Sequence, residues 1–403
     1  MRKTFKAKIA IILVVIAFLF FFSNDFGLID VEKTSIITAI AIDKENDDYL
    51  VTAQIAVPEA TDTNSENLKA QLTGKGSTVG AALKDLGDVS GWFPKLAFCN
   101  LILVGNSLTN TNVIEALDYF AKTLRVQDSA LVALTEKDAK EVLSSSTPLD
   151  NISAFALQKI MFKTQGFDND VASTDIKTFC VGHYSKNNSS YMPLVKMVSS
   201  GEDGASDNKS GTKSQSGSSS KESGSSSNDK KILYDARSTA LFKNGYYVGE
   251  LNSDLTLTLN ALTENFKGTT LPINDVFDGS GKKSNYLLSV TGNTHKIKFV
   301  KGNIPTLSIS LSLYCKISDH AVEGSTEGLY ENKPLPKELT DKTRDIMRDR
   351  IDKLVKKSIE TKCDFLGLNE KLYRSNHKQY SQYKDDLLSK MKVQITVNIE
   401  GQK

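Results

Sequence analysis

The sequence has few of the residues that usually perform catalytic or metal chemistry. Among its 403 residues there are four cysteines, four histidines and one tryptophan. The cysteines lie far apart without a CxxC pair, so nothing indicates a zinc site, a redox motif or a dense disulfide framework. The histidines are equally dispersed and no H-E-x-x-H motif occurs. We therefore expect no catalytic residue, no metal and no cofactor.

The chain also lacks an excess of charge of either sign. Its 50 Lys and Arg residues against 48 Asp and Glu residues leave a net charge of +2, which argues against a strongly basic nucleic-acid scaffold. The hydrophobic fraction is 39%. This is enough to bury the cores of two or three domains and too high for a mostly disordered chain.

One long hydrophobic run stands at the amino terminus. A basic flank at residues 1–8 precedes fourteen uninterrupted apolar residues from Ile9 to Phe22. Extended to residues 7–23, a helix of this stretch would be about 25 Å long, near the lower limit for crossing a bilayer core. The predicted anchor residues are Ile9, Ile12, Leu13, Val14, Phe18, Leu19 and Phe22.

This segment is typical of an export signal, but no A-x-A-like cleavage site follows it. We therefore expect an uncleaved signal or membrane anchor at residues 9–23. The positive flank should stay in the cytoplasm, which places the rest of a single-pass protein outside the membrane. The alternative, a buried core helix, is not favoured because the run has no amphipathic stripe.

Residues 30–200 have the pattern of a mixed α/β domain. Two apolar segments around the polar turn at 45–48 predict a hairpin, and Leu96 to Gly105 predicts a buried strand. A helix is expected from residue 113, with Thr111 or Asn112 as its cap. Further helical patterns occur at residues 77–86, 136–144, 152–162 and 175–184.

Residues 201–231 differ from the rest of the chain in composition. Positions 201–230 contain eleven Ser and five Gly, which is typical of a flexible linker. The segment could be a hinge between independently moving domains, since a free coil of this length has ends about 30 Å apart. It could also be an insertion in a surface loop, because long loops cost little additional closure entropy.

Residues 232–403 are predicted to form an α+β region, which could be divided near residue 285. The dipeptide Asn244-Gly245 predicts a tight hairpin. The segments 306–318 and 391–400 alternate apolar and polar residues, as strands with one solvated face do. A helix at 336–363 could cover them, so we expect α+β domains built from mainly antiparallel or mixed sheets layered with helices.

Two basic segments allow more than one interpretation. The helix at 342–362 contains eight Lys or Arg and four Asp or Glu residues. It is either a solvated face with i, i+4 ion pairs or a face towards anionic lipid. The segment 371–384 interleaves basic residues with Tyr373, Tyr380 and Tyr383. These tyrosines could pack on their own domain, lie at a membrane interface or contact a partner, whereas an exported protein seldom meets nucleic acid.

Several segments together resemble a known family. They are AIAIDKENDDYLVTAQIAVPEA, GKGSTVGAALKDLG followed by KLAFCNLILVG, TALFKNGYYVGEL, and CDFLGLNEKLYR. They are similar to the characteristic blocks of the Ger(x)C family, the C subunits of GerA-type spore germinant receptors, and they occur in that family's order. The resemblance implies several mixed α/β domains, a body on the outer face of the spore inner membrane, two polytopic membrane subunits as partners, and no enzymatic activity.

The chain departs from that family pattern at the membrane junction. Family members typically have a Leu-x-Gly-Cys-like lipobox directly after the apolar run. Here Phe22-Ser23-Asn24-Asp25 contains no cysteine, and the first thiol is Cys99. We expect no lipidation, with the uncleaved helix supplying the tether in place of acyl chains.

These observations lead to one hypothesis and two alternatives. The hypothesis is a non-catalytic, membrane-tethered subunit of a spore nutrient germinant receptor that is coupled to integral-membrane subunits by protein contacts. Whether it binds a small-molecule germinant is left open. The first alternative, an extracytoplasmic solute-binding component of a transporter, needs a deep cleft with convergent polar groups. The second, a cell-envelope hydrolase or transferase, needs positioned carboxylates or an activated nucleophile, for which the sequence shows no pattern.

Overall fold

A computed structural model of the chain describes most of its length. The described residues are 11–16, 18, 34–56, 69–123, 126–150, 152–162, 170–199, 232–264, 268–277, 281, 283–300, 302–322 and 334–401. Their strands form two sheets, and helices cover both. The fold is therefore of the mixed α+β class.

The larger sheet has ten strands within the described residues. They are β1 (Thr34–Glu45), β2 (Asp48–Ala56), β3 (Lys69–Gly76), β4 (Phe93–Lys95), β5 (Leu101–Val104), β6 (Leu131–Thr135), β7 (Thr174–Asp175), β8 (Ser189–Ser199), β9 (Ile232–Lys243) and β10 (Tyr246–Leu251). The main path runs β10-β9-β8-β6-β5-β1-β2-β3, with β4 beside β1 and β7 beside β6. The central strands β1, β5, β6 and β8 are parallel to one another, and antiparallel strands flank this group on both sides.

Helices bury both faces of this sheet. They are α1 (Val79–Ser90), α2 (Val113–Lys122), α3 (Ala139–Ser144), α4 (Ser153–Met161) and α5 (Ile176–Tyr184). Ile40 and Ile42 of β1 join the core under α1, α2 and α5, whereas Ala39 and Ala41 join the core under α3 and α4. Burial on both faces explains why the central strands are nearly continuous apolar runs.

The smaller sheet contains β11 (Thr269–Phe277), β12 (Lys283–Val300), β13 (Thr306–Val322) and β14 (Lys392–Gly401), in that order. The helices of this part are α6 (Ser253–Thr263), α7 (Lys337–Thr361), α8 (Leu368–Ser375), α9 (His377–Tyr383) and α10 (Leu387–Lys390). β13 is antiparallel to β12 and parallel to β14. The long α7 belongs to the crossover that a parallel pair requires. β12 is continuous through residue 285, so the chain is not divided there.

Local turn and cap chemistry sets several of the predicted elements. Asn244 and Gly245 have φ angles of 52° and 84°, which are the positive values that a tight two-residue hairpin requires. The side chain of Asn112 caps α2 by accepting a hydrogen bond from the Ile114 N–H at 3.1 Å. α1 is capped by Thr78. The predicted strand from residue 96 begins only at Leu101, because residues 96–98 form a 3-10 turn.

The pairing of β8 with β9 determines what the Ser/Gly-rich insert connects. Ser199, the last residue of β8, is paired with Ile232, the first residue of β9. Residues 201–231 lie outside the described residues, but their two ends are held at the spacing of adjacent strands, about 5 Å. β9 and β10 therefore belong to the larger sheet, which crosses the predicted boundary between 30–200 and 232–403. A connection within one sheet fits an insertion in a loop and not an interdomain hinge.

Part of the predicted anchor falls within the described residues. Residues 11–16 and 18 are helical, and Ile12, Leu13, Val14 and Phe18 are 57–67% exposed. Ile9, Leu19 and Phe22 lie outside the described residues, as does the basic flank at 1–8. No helix within the described part of the chain has both the length and the hydropathy of a membrane span.

Replacing residues 201–230 by a short Gly-Ser turn should leave the fold intact. Because a shorter loop loses less closure entropy, we expect a free energy of unfolding that is unchanged or higher by about 1–2 kcal/mol. Urea unfolding of the detergent-solubilised full-length protein, followed by Trp92 fluorescence, measures it. Deleting residues 232–235 of β9 is the destabilising control. Equal destabilisation by both deletions would contradict the strand pairing.

Candidate functional site

The block CDFLGLNEKLYR forms a polar junction between the end of α7 and the larger sheet. Lys362, with φ of 52°, ends α7, and Gly367, with φ of 70°, precedes α8. These two left-handed residues reverse the chain over a few positions. The reversal places Asp364 directly beneath the first turn of α8.

Asp364 is the centre of this junction, which we call the Asp364 junction. Its side chain is buried, and its Oδ1 accepts a hydrogen bond from the Leu368 N–H at 2.7 Å. Its Oδ2 accepts from the backbone N–H of Asn369 at 2.7 Å and from the Asn369 side chain at 3.1 Å. Burial raises the pKa of Asp364 to about 6, and these N–H donors oppose the rise. The carboxyl group therefore caps the helix where the backbone N–H groups are otherwise unsatisfied.

The same junction binds the larger sheet at the start of β8 and the end of β9. The backbone N–H of Asp364 donates to Ser189 Oγ at 2.9 Å. The backbone N–H of Glu370 donates to Asn187 Oδ1 at 3.1 Å. Lys243 Nζ donates to the Asn187 carbonyl oxygen at 2.9 Å. Three segments that are distant in sequence are thus fixed to one another by buried or half-buried hydrogen bonds.

A second buried carboxylate has the same role at the other end of the larger sheet. Asp43 of β1 accepts hydrogen bonds from the N–H groups of Ala139 at 2.8 Å and Lys140 at 2.9 Å, and so caps α3. Burial is the largest influence on Asp43 and raises its pKa. A Cβ atom on Gly105 would lie 1.8 Å from Asp43 Oδ1. The family-like blocks that contain Asp43 and Gly105 therefore hold the fold together.

The cysteines are structural. All four lie within the described residues and are free thiols. Burial raises the pKa values of Cys99, Cys315 and Cys363 to about 12, and the Cys363 thiol donates to the Phe242 carbonyl oxygen at 3.3 Å. Burial also raises the pKa of Cys180. Protonated thiols are poor nucleophiles.

An open cleft borders the Asp364 junction, and we call it the Lys186 cleft. It has a volume of about 750 Å³ and is lined by residues 181–182 and 184–188, Glu370, Arg374 and Tyr380. One wall is the end of α5 with the loop after it, and the other is formed by α8 and α9. The hydrogen bond from Glu370 to Asn187 fixes the distance between the two walls.

Aromatic and basic side chains converge beside this cleft. The rings of Tyr373 and Tyr380 meet edge to face at 5.2 Å, and His377 lies 5.1 Å from Tyr373. Lys186 Nζ lies 5.2 Å from the centre of the Tyr373 ring, within the range of a cation–π contact. Arg374 Nε is paired with Glu370 Oε1 at 2.8 Å.

The tyrosines of the segment 371–384 differ in burial. Tyr380 and Tyr383 pack against the core of the smaller sheet, whereas Tyr373 and Tyr184 are exposed. Rigid aromatic side chains next to Arg are typical of surfaces that bind other proteins. Within the described residues, no group of three His, Cys, Asp or Glu side chains could hold a metal.

Only partial signals for these features are present in the sequence. A predicted interpretation named Tyr373 and Tyr380, but Asp364 and Lys186 were not singled out as functional residues. Asp364 stands four positions before the first residue of α8, and an acidic residue near a helix start could have indicated a cap. Lys186 has no local signal, because its partner Tyr373 is remote in sequence. The predicted i, i+4 pairs of α7 are present, at 2.6 Å for both Lys353–Asp349 and Lys356–Asp352.

Comparison with known proteins identifies the family. The model of the spore germination protein N-terminal domain matches residues 28–197, and that of the spore germination B3/GerAC-like C-terminal domain matches residues 237–401. The chain belongs to the Ger(x)C family. The crystal structure of the GerBC protein is similar over 90% of this chain and 97% of that chain, with a TM-score of 0.51 and 18% identity, which shows a shared fold. No match was found among curated proteins.

Both features of this Ger(x)C chain use residues of one family block. Asp364, and Glu370 and Arg374 in one wall of the Lys186 cleft, come from CDFLGLNEKLYR, which lies inside the C-terminal match. The other wall comes from the N-terminal match at residues 28–197. The two matched regions of this Ger(x)C chain are therefore joined at this place.

Replacing Asp364 with Asn should destabilise the protein by about 1–3 kcal/mol. An amide would direct its NH₂ group at one of the N–H donors that now bind the carboxylate. Thermal unfolding of the detergent-solubilised full-length protein measures the loss. Asp385→Asn at an exposed position is the matched control and should stay within about 0.5 kcal/mol of wild type. Equal stability of the two variants would show that the carboxylate does not hold α8.

Proposed function

We propose that this chain is a membrane-tethered, non-catalytic subunit of a spore nutrient germinant receptor. Its body would lie on the outer face of the spore inner membrane and contact integral-membrane subunits of the receptor. The observation that carries this proposal is the consecutive match of two spore germination models to one chain. The hydrophobic run before the first match supports the membrane location.

Exposure of the amino-terminal helical residues supports the tether. Four of its side chains are more than half exposed, namely Ile12, Leu13, Val14 and Phe18. Removing each such side chain from water is favourable by about 1.5–3 kcal/mol. None of these four belongs to a core of the described structure. Lipid would cover them without any further protein contact.

The use of the buried acids supports a non-catalytic role. Asp43 and Asp364 are buried carboxylates of the kind that enzymes use for acid–base chemistry. Both are fully engaged by helix N–H groups in this structure. His183 and His295 have lowered pKa values because they are partly buried. These groups contribute to folding, and we assign the chain no reaction.

The Lys186 cleft is the surface that we assign to a protein partner. A partner can change the state of this subunit only through contacts that differ between two states. The cleft suits such contacts because its walls come from both matched regions and meet at the Asp364 junction. A solute-binding role is less favoured, because the cleft is open and Arg374 and Glu370 are already paired with each other.

Replacing residues 9–22 by a cleavable secretion signal should release the body into the soluble fraction. Without the apolar helix, no lipid-covered segment would hold the protein. Fractionation of sporulating cells followed by an alkaline carbonate wash measures the release. A substitute run of fourteen Leu and Val residues is the control and should keep the protein in the membrane. A body that stays bound after the wash would show that partners hold it in place of the helix.

Combining Lys186→Glu with Arg374→Gln should slow the germination response to nutrient about tenfold or more, which corresponds to about 1.4 kcal/mol of lost coupling. Both substitutions remove a cation from the cleft and leave the buried junction intact. Loss of optical density in spores that carry only this receptor measures the response, and blotting measures the abundance of the subunits.

The matched control combines Lys353→Glu with Lys356→Gln on α7. These lysines are exposed and take part in i, i+4 ion pairs, as Arg374 does. The control should germinate at the wild-type rate. An equal effect of the two double variants would remove the cleft from the proposal, and a control slower than the cleft variant would favour α7 as the contact surface.

A further inference from the structure

Three large apolar side chains are exposed in the short stretch of chain on either side of β4. Val89 at the end of α1 is 79% exposed, Trp92 is 47% exposed and Phe98 is 50% exposed. We call these three residues the β4 patch. Lys95, between Trp92 and Phe98, is also exposed. Single exposed hydrophobic residues are common on protein surfaces, but three large ones within ten residues are unusual.

The β4 patch lies where the chain enters the larger sheet. β4 pairs with the first residues of β1, Thr34 with Phe93 and Ile36 with Lys95. Paired strands are about 4.8 Å apart, so Trp92 lies close to Thr34. Ile36 is itself 41% exposed.

The length of chain before Thr34 restricts how far this end of the body can be from the membrane. Eleven residue steps separate Ser23, the end of the proposed anchor, from Thr34. Even when fully extended, they span at most about 40 Å. A compact chain of this size has a radius of gyration of about 21 Å and a diameter above 50 Å. The end of the body that carries Thr34 and the β4 patch is therefore the one that the tether holds towards the bilayer.

The β4 patch is held on rigid structure. Gly91, with φ of 71°, ends α1, and its N–H donates to the Gly87 carbonyl oxygen at 2.9 Å. The Trp92 N–H donates to Ser90 Oγ at 3.2 Å, and Gln127 Nε2 donates to the Ala97 carbonyl oxygen at 3.3 Å. A surface fixed in this way loses little conformational entropy when it binds.

The side-chain chemistry fits the interfacial region of a bilayer. Trp rings prefer the headgroup level, where the apolar ring is buried and the indole N–H is hydrated. Val and Phe gain free energy by reaching the acyl boundary, and Lys is attracted to anionic headgroups. Exposed apolar residues elsewhere, such as Phe155 and Phe162, have no neighbouring tether.

We propose that the β4 patch inserts into the headgroup region of the membrane and, together with the tether, fixes the orientation of the body on the bilayer. This inference rests on the proposed membrane tether. The patch adds a second attachment point, so the body stands in one orientation on the bilayer. The β4 patch contacts lipid in this proposal. The smaller sheet does not contact the membrane.

The single tryptophan makes the proposal directly measurable. The full-length chain is reconstituted in vesicles of phosphatidylcholine and phosphatidylglycerol, and flotation confirms that it is bound. Trp92 emission is then recorded with brominated lipids as membrane quenchers and with iodide as an aqueous quencher. We expect a blue-shifted emission, quenching by lipid brominated near the headgroup, and protection from iodide.

Variants test whether the patch acts as a unit. Val89→Ser combined with Phe98→Ser keeps Trp92 as the probe and should lose most of the lipid quenching. Phe277→Ser is the control, because Phe277 is 58% exposed on β11 of the smaller sheet, and it should be quenched as wild type is. The wild-type measurement decides the proposal even if the double variant fails to fold.

The outcomes separate this inference from the proposed function. A chain that floats while Trp92 stays open to iodide and unquenched by lipid would overturn the insertion and leave the tether intact. A wild-type chain that does not float would overturn the tether and the insertion together. Shielding of Trp92 only when the integral-membrane subunits are co-reconstituted would assign the patch to a protein interface and overturn its assignment to lipid.

Discussion

The capture of the first turn of α8 by the buried Asp364 carboxyl group is the constraint on which the rest of this structure depends. The group satisfies helix N–H donors, and its own backbone N–H is bound to Ser189 at the start of β8. The interaction thereby connects the helices of the smaller sheet to the larger sheet. Because the joined segments are far apart in sequence, their association depends on hydrogen bonds that are protected from water.

Asp43 shows that this device is used twice. Each buried carboxylate caps a helix without standing at the N-cap position of that helix. Asp43, for example, lies 96 residues before Ala139. Buried carboxyl groups need such donors, since an unpaired buried charge is strongly unfavourable. The family-like blocks that contain Asp43 and Asp364 therefore contribute to folding. We look for function on the surfaces that the folded chain exposes.

The larger sheet places the two proposed contact surfaces at a defined separation. β1, where the chain enters from the proposed tether, and β9, which ends at the Asp364 junction, are four strand steps apart in the sheet order. At about 4.8 Å per step this is about 19 Å. A packed sheet transmits displacement with little compression. The larger sheet therefore connects the Lys186 cleft to the strand that begins at the proposed tether.

The sequence by itself determined the local elements and the family. Alternation predicted β13 and β14, helical spacing predicted α2 and α7, and Asn244-Gly245 predicted the β9–β10 turn, because each of these depends on neighbouring residues. Only the tertiary structure decided that β9 joins β8, that β14 is parallel to β13, and that Asp364 lies under α8. Those choices depend on pairing between distant segments, whose free energies no local pattern records.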